Sequence, residues 1–232
     1  MKLSIITPIY NEEKTLSEII KRVEEADTLG LEKEIILVDD GSTDGTKEIL
    51  KELEKEHSVI YHQKNQGKGQ ALRTGFAQAS GDIILVQDSD LEYNPQNYPA
   101  LLKPILDDKF DVIYGSRFLN KEYHHVFLLS HFANKALTWF SNLLSGLRLT
   151  DMWTGYKVFK KEVIQEILPH LTSQRFGIEP EITAQVAKKK YRICEVGLFA
   201  QGRLRTRKEG KKVSWTDGLV SLWQITNFNL FR

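Results

Sequence analysis

Short apolar runs alternate with helical stripes along the first half of this sequence, and that alternation narrows the folds open to it. Residues 3–7, 35–38, 59–61, 83–86 and 112–114 are apolar runs with the length of strands buried on both faces. Between them, 15–26 sets Leu16, Ile19, Ile20 and Val23 on one helical stripe, and 46–56 does the same with Ile49, Leu50 and Leu53. Residues 70–79 and 98–106 repeat the pattern. Strand then helix, with short connections, predicts a mostly parallel α/β sheet covered on both faces.

The second half changes character. Residues 126–147 carry a long apolar stripe (Leu129, Phe132, Ala133, Ala136, Leu137, Phe140, Leu143, Leu144, Leu147), with Ser130, Asn134, Lys135, Ser141 and Asn142 off it. A strand is expected at 156–159, helices near 161–168 and 179–190, and another strand within 192–199. A basic segment at 203–212 follows, then a last helical stripe through Trp215, Leu219, Leu222, Trp223 and Phe228.

Composition excludes several classes. The 32 basic and 31 acidic residues nearly cancel, unlike the strongly basic balance of a general nucleic-acid binder. A single cysteine, Cys194, rules out an internal disulfide framework and a thiolate-rich zinc site. No run approaches the roughly 18 apolar residues that span a bilayer, and MKLSIITPIY meets Asn11, Glu12 and Glu13 too early for a signal peptide. A cytoplasmic protein is expected, with a surface that could touch a membrane.

Ligands of open parallel sheets bind at the carboxyl ends of the strands. Polar clusters sit at four such ends: 8–12, 39–46, 88–90 and 115–117. Asp88 and Asp90 are two residues apart on an extended segment, so their carboxylates point the same way, as a divalent cation shared with substrate phosphates requires. A solvated turn is the alternative for such a pair. Asp39 and Asp40 could accept hydrogen bonds from a base or ribose, or simply shape the turn into a helix capped by Ser42, Thr43 or Asp44. Gly67-Lys68-Gly69 could bring backbone and a cation to an anion, or be a tight turn. The chain has neither GxxxxGK[ST] nor GxGxxG, so ATPase and dinucleotide-dehydrogenase readings lose their support. Arg117 and Arg203 are candidate phosphate ligands, since the guanidinium fork fits phosphate oxygens. Glu179 and Glu181 flank Pro180, where they suit either a helix N-terminus or a general base.

Together the segments PIYNE, VDDGSTDGT, GKGQALRTGFAQASGD, QDSDLEYNP, YGSRF, TGYKVF, RFGIEPEI, and GR followed by EGKK resemble the family 2 glycosyltransferases of the GT-A fold. The similarity is to the branch of dolichyl-phosphate mannose synthase and the polyprenyl-phosphate glycosyltransferases, and it runs in order over residues 3–218. The resemblance implies a single GT-A domain over 1–232, with a nucleotide-sugar-binding half at 1–118, an acceptor-side half at 119–212 and a C-terminal amphipathic helix at 213–232. It implies that Pro8, Tyr10, Glu12, Asp39 and Asp40 hold the nucleotide, and that Asp88, Ser89 and Asp90 lie on its diphosphate. Asp88 and Asp90 would carry Mg2+ or Mn2+. Glu92 stands where the mannose synthases often have Gln as a further metal-site residue. Arg117 and Arg203 would touch phosphate, with Lys68, Lys211 and Lys212 as further contacts. His131 and Lys135 are the cations available at 130–135, where those synthases carry basic acceptor-phosphate residues.

The implied reaction moves mannose or glucose from a GDP- or UDP-hexose to a polyprenyl phosphate, with inversion. A hydroxyl acceptor needs a general base, for which Glu179 and Glu181 are candidates. A phosphomonoester, with a second pKa of ~6, needs cations instead. Transfer to a saccharide hydroxyl in envelope-polysaccharide synthesis, a nucleotidyltransferase, and a silent nucleotide-sugar-binding subunit are the alternatives. The two apolar stripes with Trp139, Trp215 and Trp223 suit either a membrane surface, packing on the core, or a contact in a homo-oligomer.

Overall fold

The computed structural model describes residues 1–120, 128–199 and 215–231, with side chains described from 131 in the second segment and from 220 in the third. The chain order is β1 (Lys2–Ile9), α1 (Leu16–Glu25), β2 (Glu32–Asp39), α2 (Thr46–Leu53), β3 (Ser58–Tyr61), α3 (Lys68–Gln78), β4 (Ile83–Val86), α4 (Tyr98–Leu106) and β5 (Val112–Ser116). Then follow α5 (Leu128–Ser145), β6 (Lys157–Lys160), α6 (Lys161–Ile167), α7 (Ile178–Lys188), β7 (Ile193–Gly197) and α8 (Trp215–Leu230). The strands form one seven-stranded sheet in the order β3-β2-β1-β4-β6-β5-β7.

The apolar runs become strands because both faces of the sheet are covered. Alternate side chains feed opposite cores. Leu3, Ile5, Ile83 and Leu85 pack with Leu16, Ile19, Ile20 and Val23 of α1, Leu50 of α2, and Leu101 and Leu102 of α4. Ile6, Ile84 and Val86 pack on the other face with Leu72 and Phe76 of α3, Ile164 of α6, and Ile178 and Ile182 of α7. The strand pairings leave the carboxyl ends of β1, β2, β4 and β5 on one edge.

One strand departs from the parallel pattern. β6 inserts between β4 and β5, antiparallel to both. Its amino end therefore joins the carboxyl edge of its neighbours. A strand from the second half of the chain thus lies inside the sheet of the first. Strand pairing over such separations is invisible to local periodicity.

The expected stripe over 126–147 is met in part: Leu137, Phe140, Leu144 and Leu147 pack on the core. The buried side chains of α5 include Thr138 and Ser141, while Phe132, Trp139 and Leu143 face outward at 63–66% exposure. The polar groups are inside because they hold the segment before β6. Asn142 donates to the Leu149 carbonyl at 2.7 Å and accepts from its N–H at 3.0 Å. Thr138 accepts from Met152 N–H at 3.3 Å. No described helix is long and apolar enough to cross a membrane.

Candidate active site

The first wall of the carboxyl edge joins the loops after β1 and β2. Asn11, in the left-handed region at φ 56°, donates its N–H to Ser42 Oγ at 2.9 Å and accepts from Thr43 N–H at 2.8 Å. Glu12 N–H donates to Thr46 Oγ1 at 2.8 Å, and the Glu12 carboxylate accepts from Thr15 Oγ1 at 2.8 Å. Asp44 accepts from Thr46 N–H at 3.1 Å, while the N-cap position of α2 is Gly45, so none of Ser42, Thr43 and Asp44 stands at the cap itself. Tyr10 lies beside it, partly exposed on the same loop.

Asp39 and Asp40 divide their work. Asp40 is a turn-former: it accepts from Gln66 N–H at 2.9 Å and Gly67 N–H at 2.6 Å, and its Oδ1 is 2.8 Å from His62 Nδ1. Asp39 is fully buried, with Oδ1 accepting from Ser42 N–H at 3.1 Å and Oδ2 left without a hydrogen-bond partner. A buried carboxylate oxygen with no donor is costly unless a ligand supplies one.

The Asp88–Asp90 segment is held from beneath by Gln87. The Gln87 Oε1 accepts from Tyr98 OH at 2.9 Å and Tyr156 OH at 2.8 Å, and its Nε2 donates to the Asp88 carbonyl at 2.9 Å. Ser89 Oγ donates to the Pro8 carbonyl at 3.0 Å, tying this segment to the end of β1. Asp90 accepts from Glu92 N–H at 3.0 Å. Gly155, just before β6, has no room for a side chain: a Cβ there would lie 2.2 Å from Asp88 Oδ2.

Asp88 is paired with a lysine. Lys68 Nζ is 2.8 Å from Asp88 Oδ1 and 3.1 Å from Glu179 Oε1, and the other Glu179 oxygen takes the buried Lys157 ammonium. Burial pushes the Glu179 carboxyl up, but the charges of Lys157 and Lys68 outweigh it and hold it below the usual range. Burial likewise pushes Lys68 down, and Asp88 and Glu179 reverse that, so its ammonium stays charged. Glu181 is fully buried and accepts from Thr172 N–H, Thr172 Oγ1 and Ser173 N–H, each at 2.8 Å. That is the arrangement of a loop anchor, and the base role expected of Glu181 finds no geometry here.

Arg117 follows β5 and forks onto Asp151, with His131 and Asn134 of α5 close by. Asn134 donates to Asp151 Oδ1 at 3.2 Å, and the His131 ring lies edge-on to Phe118 at 4.7 Å. Burial, with Lys135 and Arg117 near, keeps the His131 ring below its ordinary pKa, while Lys135 itself is exposed. Arg203, Lys211 and Lys212 lie outside the described residues.

Sequence reasoning passed over His62, Gln87, Tyr93, Asp151, Gly155, Tyr156 and Lys157. Several of these sit in segments quoted for the resemblance, and an interior lysine in the run Tyr156-Lys157-Val158-Phe159 was the available signal of a buried charge pair. The carboxylates of Asp88 and Asp90 are hard oxygen donors of the kind Mg2+ and Mn2+ take, leaving other positions to a ligand's oxygens. The Lys68 ammonium against Asp88 marks the same place as one that demands positive charge. The residues present therefore fit such an ion.

A seven-stranded, mostly parallel sheet of this order, flanked by helices on both faces, is a GT-A fold. The family model of glycosyl transferase family 2 matches residues 4–168, and the chain belongs to that family. It is 30% identical over 211 residues to the UDP-N-acetylglucosamine–dolichyl-phosphate N-acetylglucosaminyltransferase of Methanococcus voltae, covering 83% of this chain and 82% of that protein. It is 34% identical over 217 residues to the dolichol-phosphate mannosyltransferase of Pyrococcus furiosus, covering 91% of this chain and 59% of that one. Among solved structures, glucosyl-3-phosphoglycerate synthase from Mycobacterium tuberculosis, crystallised with Mn2+, UDP and phosphoglyceric acid, shares the fold. The TM-score is 0.73 at 21% identity, over 100% of this chain and 79% of that chain. The same enzyme has also been crystallised with Mg2+ and UDP.

Proposed function

We propose that this glycosyltransferase moves a hexose from a nucleoside-diphosphate sugar to a polyprenyl phosphate, inverting the anomeric centre by direct displacement. The observation that carries the choice of acceptor is the state of the two candidate bases. Glu179 is ion-paired on both oxygens, and both oxygens of the buried Glu181 are taken by donors of the 172–173 loop. A hydroxyl acceptor would need a base with a free lone pair. A phosphate acceptor, already ionised near neutral pH, needs only to be oriented by cations. The two dolichyl-phosphate relatives support the same reading.

In this reading Asp39 Oδ2 accepts from the donor's ribose or base, and the joined 8–13 and 39–46 loops fix the nucleotide's position. Asp88 and Asp90 hold Mg2+ or Mn2+, with Glu92 alongside. When bound, the ion neutralises charge building on the departing diphosphate. Arg117, held by Asp151, presents its guanidinium to phosphate. The outward-facing Phe132, Trp139 and Leu143 of α5, with Leu222 and Trp223 of α8, support a peripheral contact with the bilayer that holds the acceptor.

A second reading, a small phosphorylated acceptor bearing a hydroxyl, is favoured by the phosphoglyceric acid bound in the structural relative. The test is nucleoside-diphosphate release from a panel of GDP- and UDP-sugars with Mn2+ or Mg2+, with and without a short polyprenyl phosphate, and with EDTA. Lipid-stimulated, EDTA-sensitive release from one donor is expected. Release stimulated by phosphoglycerate and indifferent to the lipid would overturn the reading.

A further inference from the structure

The chain Lys157–Glu179–Lys68–Asp88 is a line of alternating charges that ends on the carboxylate pair. Its inner end is enclosed by the core. Lys157 is almost fully buried, its ammonium bonded to the Thr154 carbonyl and lying 4.7 Å from the centre of the Tyr114 ring. Its outer end is different: Lys68 is the first residue of α3, with a long side chain that is partly open to solvent.

The backbone beneath Lys68 is fixed. A Cβ on Gly67 would fall 2.5 Å from the Gln174 carbonyl, and one on Gly69 2.4 Å from the Ser173 carbonyl. Gln70 N–H donates to the Gln174 carbonyl at 3.0 Å. Glu181 in turn pins Thr172 and Ser173. The Lys68 ammonium therefore bridges two carboxylates, Asp88 and Glu179, from a closely packed backbone, and a shift of its charge away from Asp88 is a matter of the side chain alone.

We propose that Lys68 is the resident counter-cation of Asp88, which a divalent ion displaces, and that Glu179 is the carboxylate that retains the displaced ammonium beside the site. This rests on the reading of Asp88 as a metal ligand. Without Lys68, Asp88 would stand as an uncompensated, largely buried carboxylate whenever no ion is present. With both cations on one oxygen, like charges would repel. Glu179, anchored by Lys157, resolves this because it already holds the same ammonium at 3.1 Å and keeps it when Asp88 turns to the ion. Lys68 and Glu179 are positioning residues in this scheme, and Glu179 acts through Lys68.

Mn2+ binding to the nucleotide-free full chain, followed by electron paramagnetic resonance of the free ion, tests it. K68M removes the competitor and should bind Mn2+ at least fivefold tighter than the wild type. K68R keeps the charge and should stay within about twofold. E179Q leaves Lys68 with Asp88 alone and should bind several-fold more weakly, and that loss should vanish in the K68M/E179Q double variant. If E179Q fails to fold, the K68M and K68R pair still decides. Equal or weaker binding by K68M, including no measurable binding in either protein, overturns the proposal. D88N in the K68M background separates the two layers. Binding that survives D88N defeats the metal-ligand reading itself, whereas binding lost in D88N but unchanged by K68M defeats only the exchange.

Discussion

Arg117 grips Asp151 with both arms of its guanidinium: Nε donates to Oδ2 at 2.7 Å and Nη2 to Oδ1 at 2.9 Å, while Asp151 is fully buried. The pair joins the end of β5 to the segment leading into β6, and Asn134 extends it to α5. An arginine so held presents its remaining edge in one orientation, which is what recognition of a phosphate demands.

Replacing Asp151 with Asn should therefore damage both stability and substrate binding. Loss of a buried partner costs roughly 3 kcal/mol, about 10 °C in Tm for a chain of this size. Calorimetry should show that loss at pH 7 and a smaller one at acid pH. Burial pushes the Asp151 carboxyl up, but Arg117's charge and hydrogen bonds hold it below the usual range in the folded protein. A depressed carboxyl stabilises above its unfolded pKa of about 4, and that contribution disappears as pH falls through the folded value. A D151N protein with wild-type Tm at pH 7 would remove the pair from the account.

Gly155→Ala isolates the acidic pair from the rest of the sheet. The new methyl would press on Asp88 Oδ2 and, at 2.8 Å, on Tyr93 Cε2. Displacing the proposed metal-holding carboxylate by about 1 Å should cost on the order of 100-fold in kcat/KM. Turnover should fall by that order with far-ultraviolet circular dichroism unchanged. Near-normal turnover would mean that Asp88 does not need its present position.

Glu34 offers the opposite separation, since it lies toward the amino end of β2, away from the site. Partial burial raises its carboxyl, but hydrogen bonds from Lys2, Ser4 and Ser80 outweigh that and hold it at about 2. E34Q should lower stability by about 1–2 kcal/mol at pH 7, after allowance for solvent screening. The difference from wild type should shrink as pH drops from about 4 toward 2, where the native carboxylate protonates. Donor KM should not change, and a shifted KM would connect this end of the sheet to the site.

What was legible follows from the range of each interaction. The alternation that produced β1 to β5 is local, because each strand and helix announces itself within a dozen residues. The acidic pair was legible only as a spacing: the extended segment expected to carry it is absent, because β4 ends at Val86 and Ser89 and Asp90 lie in a turn. The insertion of β6 depends on pairing Ile83 with Lys160 and Val112 with Phe159, which no local window contains. The saturation of Glu181 was equally hidden, because its partners come from a loop whose path depends on α7 and α3. On α5 the expected stripe holds through Leu137, Phe140 and Leu144, which pack on the core, but not through Phe132 and Leu143: Asn134, Thr138 and Asn142 face inward to satisfy Asp151, Met152 and Leu149, and Phe132, Trp139 and Leu143 face outward.

That outward face yields the last prediction. Trp139 and Trp223 are 66% and 65% exposed on helices that pack against each other. No acidic residue occurs between Leu128 and Ser145 of α5, so nothing on that helix repels an anionic headgroup. Indole rings exposed in this way favour the boundary between headgroups and acyl chains. The protein should therefore sediment with vesicles containing phosphatidylglycerol more than with pure phosphatidylcholine vesicles, and the preference should weaken with salt. W139S/W223S should reduce vesicle partitioning about tenfold while leaving donor turnover with a short, water-soluble acceptor unchanged. If the double variant binds vesicles as well as the wild type, the exposed face serves another surface. A concentration-dependent shift in sedimentation velocity that the same variant abolishes would identify that surface as a second copy of the chain.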